Sequence, residues 1–193
     1  MIVLWAMMLW AAAVILAGTG YGIRAFARYA LSRQTVVVLG TMVWVLGWWT
    51  VSSLWRGIRL DMGFLVLAAF AVVALVLVGQ SRWWFLTTLL GVLAAIIRIV
   101  APISPHQASI MPVAAIESIG LGTGAGLSLA EPLPAALVAV AAETLASVII
   151  AWHHRGLHNL GRHDLAMSLV AALVAWLVGW VAEWTWTRLT RAA

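Results

Sequence analysis

Few residues in this sequence could do chemistry, and those few stand inside long apolar runs. Arg98, Glu117 and Glu143 each interrupt a predominantly apolar run. In hydrocarbon an unpaired charge costs at least ~3 kcal/mol on insertion scales, so each needs a partner, a proton or water. Arg98 and Glu117 lie at similar distances on either side of a segment holding Pro102, Pro105 and Pro112. If that segment is a turn between antiparallel helices, a rise of about 1.5 Å per residue sets both groups roughly 8–10 Å from it, on one side of a membrane. The pair then reads either as a clamp joining two helices or as a site for a charged ligand or a proton path.

Glu143 lies further along, about ten residues past the turn at Glu131–Pro134. Counting back the same distance reaches Gly122, so mirror placement sets this carboxyl beside Gly120, Gly122, Thr123, Gly124 and Gly126. Hydrogen bonding to Thr123, Thr144 or backbone is one reading. A proton- or cation-coupled site is the other. The glycines divide in the same way. Gly120 with Gly124, and Gly122 with Gly126, match the small-xxx-small spacing that lets helices approach closely. Yet each glycine costs a helix about 1 kcal/mol, so an unwound or re-entrant segment also fits, and transporters place such breaks at binding sites.

Other chemistries are excluded or poorly supported. The chain has no Cys, which removes disulfides, thiolate metal sites and cysteine nucleophiles. No strand precedes the glycines and no Lys follows them, so they do not form a nucleotide loop. Ser128 has no His within the apolar runs to act as its base. His154 and His158 stand one helical turn apart, but Arg155 and Arg162 nearby oppose a cation, and a headgroup-facing basic loop fits better. No cofactor is expected.

The elements that must position these groups follow from composition. The 193 residues are 65% hydrophobic and only 9% charged, where a soluble domain carries about 25% charged residues. A bilayer core needs about 20 apolar residues of helix. That ruler divides the chain into runs at about 2–18, 35–55, 62–81, 84–103, 109–130, 134–152 and 165–186. The expectation is an all-α, polytopic transmembrane helix bundle of about seven spans in one membrane domain, or six if the glycine segment is re-entrant. Helices are required because lipid offers no partner to free backbone groups. The first run has no basic segment before it and should stay attached as a span.

All eleven basic residues are Arg. Most lie in the gaps between runs, Arg98 being the exception, and they gather on no single face, so nucleic acid is not an expected partner; the lipid bilayer is. Arg24, Arg28 and Arg33 follow the first run, which puts the N-terminus outside and the C-terminus inside, with a margin of six arginines against four. Residues 23–31 also carry a helical pattern, read as an interfacial helix or as an early start to the second span. Trp48, Trp49, Trp55, Trp83, Trp84 and Trp152 fall near span ends as interfacial anchors. Trp176, Trp180 and Trp184 form a stripe down the last run. Arg-only usage with abundant Ala and Trp fits a GC-rich bacterial genome, and so a bacterial plasma membrane.

The length, the basic segment Arg24–Arg33 after the first span, and the Pro-bearing turn 102–112 before a Gly-rich helix resemble the small YphA-type multi-pass membrane proteins of spore-forming bacilli. The resemblance implies no catalytic residues and no established activity. Three functions stay open. The leading one is a non-enzymatic structural or accessory role, with a membrane-protein partner or as a homo-oligomer. The second is a small transporter or transporter subunit, with Arg98, Glu117 and Glu143 around a cavity. The third and remotest is an intramembrane enzyme. A polar, water-accessible cavity reaching Glu143 would favour transport, and a packed interior would favour structure.

Overall fold

The structure, a computed structural model, describes residues 2–20, 32–52, 59–78, 81–100, 113–153 and 162–192. Among these residues the chain forms seven helices: α1 Ile2–Thr19, α2 Arg33–Leu46, α3 Met62–Val78, α4 Ser81–Val100, α5 Val113–Leu129, α6 Pro132–His153 and α7 Arg162–Ala192. Three of them, α4, α6 and α7, are long and apolar enough to cross a membrane. The expected interfacial helix over 23–31, Trp55, the turn at Pro102, Pro105 and Pro112, and His154 and His158 lie outside the described residues.

The run over 35–55 is not one helix. α2 stops at Leu46, where Gly47 caps it with an N–H to Val43 O. Thr50–Ser52 then pairs antiparallel with Arg59–Asp61, Thr50 opposite Asp61. Hydrophobicity alone could not separate the two conformations. The β-branched Thr50 and Val51 favour strand, and the chain must turn sharply to start α3. Gly63 explains that turn: a Cβ there would sit 2.6 Å from Gly47 N, so the two backbones meet with no room for a side chain. Asp61 is fully buried and N-caps α3, its Oδ1 accepting from Phe64 N at 3.0 Å. Asp61→Ala should cost about 0.5–2 kcal/mol, the usual loss with an N-cap, read as a lower midpoint in thermal unfolding of the detergent-solubilised protein. The other end of α2 is also capped, by Ser32 Oγ accepting from Thr35 N at 3.1 Å. The early-start reading of this helix is therefore set aside.

α6 is the central helix. Of its apolar window 61% is buried, against 28% for α4. Ala135, Ala139, Ala142 and Ala146 recur at three- and four-residue spacing and are all inaccessible. Such small residues let neighbouring backbones come close. Gly91 of α4 takes up that proximity, since a Cβ there would stand 2.9 Å from Ala142 O. Pro132 and Pro134 do not delay α6, because the first-turn N–H groups they lack have no helical partner in any case. Glu131 O accepts the first bond, from Ala135 N at 3.1 Å.

α5 runs helically through Gly120, Gly122, Gly124 and Gly126, so this segment is neither unwound nor broken. It ends on Ala130, a non-glycine residue at φ 52°. Ala130→Gly should remove a left-handed strain of about 1–2 kcal/mol, offset in part by the entropy of a freer unfolded chain. A modest rise in the unfolding midpoint is the expected result.

The helices alternate in direction. Ala6 of α1, Ala115 of α5 and Met167 of α7 pack in one buried cluster. Gly47, at the end of α2, faces Met7 and Leu165. Trp10 Nε1 donates to Gly40 O at 3.1 Å and ties α1 to α2. Trp48, Trp49, Trp84 and Trp152 are exposed, as interfacial residues would be. Trp83 departs from that expectation: it is 4% exposed and belongs to the core.

Candidate functional site

Four helices bring their ionisable groups to one place, beside the middle of α6, near the end of α4 and the starts of α5 and α7. Arg98 stands in the last turn of α4. Its Nε donates to Glu117 Oε2 on α5, the pair that mirrored spacing anticipates, and its Nη2 donates to Glu143 Oε1 on α6. Asp164, in the first turn of α7, places Oδ1 4.0 Å from Arg98 Nη1. Ser147 Oγ donates to that same oxygen at 3.0 Å. Ser118, fully buried beside Glu117, lies by the Glu143 carboxyl. A planar guanidinium suits this task because its donors fork toward several carboxyls at once.

Glu143 is wholly inaccessible and Glu117 nearly so, whereas the Arg98 and Asp164 side chains keep 12% and 15% of their surface. The cluster is therefore sealed around Glu143 and Glu117 and partly open at Arg98 and Asp164. Glu117 Oε1 and Glu143 Oε2 are buried without a hydrogen-bond partner. One guanidinium faces three carboxyls, so acidic groups outnumber basic ones in the cluster. Among the described residues no group of three His, Cys, Asp or Glu is arranged to hold a metal ion.

The mirror count misplaced Glu143. It does not face Gly122 or Thr123. Thr123 and Thr144 bond their own helices instead, to Ile119 O and Val140 O at 2.8 Å each. The reason is the turn. α5 ends at Leu129 and α6 begins at Pro132, so the fold axis lies nearer Ala130–Glu131 than Glu131–Pro134. About two residues of error in the axis becomes about four in register, and the level of Glu143 is Ser118. Asp164, Ser118 and Ser147 were not singled out in the sequence. Ser147 carried a signal, because it follows Glu143 by four residues and so shares its face. Asp164 looked like part of the basic loop, and only the start of α7 at Arg162 turns it inward.

The glycines are also divided by the fold. A Cβ on Gly122 would meet Ala171 O at 2.5 Å, and one on Gly126 would meet Val178 Cβ at 2.7 Å. These two seat α5 against α7. Gly120 has nothing within 4 Å, and Gly124 meets only Leu90 Cδ2 at 3.3 Å. Close packing thus belongs to one small-xxx-small pair and not to the other.

Neither a family model, nor a curated protein, nor a solved structure matches this chain.

Proposed function

We propose that this chain is a multi-pass membrane protein of about seven spans, with a non-enzymatic structural or accessory role, and that the Arg98 cluster is a clamp closing four helices. The observation that carries this reading is the complete burial of Glu143 against Arg98. A substrate site must open to its substrate, and this carboxyl does not. The seven-span arrangement draws support from the shared end of α1, α5 and α7, which an alternating chain requires. An outside N-terminus rests on the Arg24, Arg28 and Arg33 group. Reporter fusions after Arg33 and after Arg191 should both report the inner side, and opposite signals would overturn the odd span count.

One observation favours a second reading, a small proton-coupled transporter: the excess of carboxyls over guanidinium in the cluster. The two readings separate on Glu143→Gln in proteoliposomes under an imposed pH gradient. A clamp predicts no proton flux with either protein and a folded variant, since an amide keeps most of the hydrogen bonding. Flux in the wild type that disappears in the variant would replace the clamp with transport.

A further inference from the structure

The last two-fifths of α7 outruns the helices beside it. A Cβ on Gly179 would lie 3.0 Å from Glu131 O, so the α5–α6 turn is level with Gly179. α7 continues to Ala192, about 20 Å further at 1.5 Å per residue. Where it passes the end of α5, the two helices bound an apolar groove of about 470 Å³. Leu127 and Ala130 form one wall, and Leu177, Val181 and Thr185 run along the other. Arg188 follows Thr185 by three residues and Val181 by seven, so it stands on the same face of α7 just past the groove. Its guanidinium is held 4.2 Å over the Trp184 ring. Glu183 lies two residues from both Val181 and Thr185 and so points to another side of the helix.

We propose that this groove binds an anionic phospholipid, with an acyl chain against Leu127, Leu177 and Val181 and the phosphate at Arg188. An apolar trough that ends in one cation complements an amphiphile with one negative charge. Exposed Trp180, Trp184 and Trp186 around it suit the headgroup boundary, where indole rings settle. The inference takes the chain as membrane-embedded and adds a lipid class to it.

The test uses the full chain in detergent, titrated with phosphatidylglycerol or phosphatidylcholine, with bound lipid counted by native mass spectrometry. Phosphatidylglycerol should bind more tightly, and Arg188→Gln should weaken it about fivefold, the worth of one basic residue at an anionic surface. Leu127→Trp, which fills the groove, should weaken both lipids, and glycerol phosphate alone should not bind. Arg188 is exposed, so its variant folds whatever its role. Equal binding of the two lipids, or undiminished phosphatidylglycerol binding by Arg188→Gln, overturns the proposal. So does a dimer that Leu127→Trp abolishes, which would make the groove an interface between copies. Loss of lipid preference in a protein that still partitions into membranes leaves the membrane reading standing.

Discussion

Arg98→Leu should cost the folded protein about 3–5 kcal/mol, because it strands Glu117 and Glu143 in an apolar interior without their cation. Removing one partner of a buried pair is far more damaging than removing all of them. A pairwise view would restore stability with Arg98→Leu and Glu117→Leu together. The structure predicts that this double variant stays weak, since Glu143 also loses Arg98. Adding Glu143→Leu should recover most of the loss, leaving Asp164 at the partly open edge with Ser147 as its donor. Equilibrium unfolding of the four proteins in one detergent decides it. Full recovery in the double variant would mean that Glu143 does not depend on the guanidinium.

The second large effect falls on the α5–α7 seam. Gly122→Val and Gly126→Val should each destabilise by about 1–3 kcal/mol, the usual range for overpacking. The obstruction at Gly122 is backbone, Ala171 O at 2.5 Å, which cannot rotate aside. Gly120→Ala makes the control. It meets open space, so the helix should gain up to about 1 kcal/mol in propensity. Variants of opposite sign, two residues apart on one helix, are hard to explain by composition. If all three substitutions shift the unfolding midpoint alike, the seam does not run through Gly122 and Gly126.

The site was legible to the extent that hydrocarbon makes charge conspicuous. Arg98, Glu117 and Glu143 stand out because they interrupt long apolar runs, and the pairing of Arg98 with Glu117 follows from their similar distances to the prolines between them. Asp164 was hidden for the complementary reason. Among His153, Arg155, His158 and Arg162 an acidic residue looks ordinary, and no local pattern says that α7 begins two residues before it. Trp83 and Trp84 make the same point for packing. They are adjacent and identical, yet one is core and the other is 42% exposed, because neighbours on a helix face different ways.

What hydrophobic run length decides here is coarse and strong: a helical chain, with three helices long and apolar enough to cross a membrane. These properties are local, since they depend on the free energy of moving one segment out of water. Register between segments is not local. That Glu143 meets Ser118 and Arg98 depends on where α6 begins against α5. That Gly122 and Gly126 touch α7 while Gly120 touches nothing depends on how α5 is rotated about its axis. The break of α2 at Leu46 depends on two glycine backbones meeting at Gly47 and Gly63. Each is a choice among arrangements that bury similar apolar area, and only contacts between distant segments separate them.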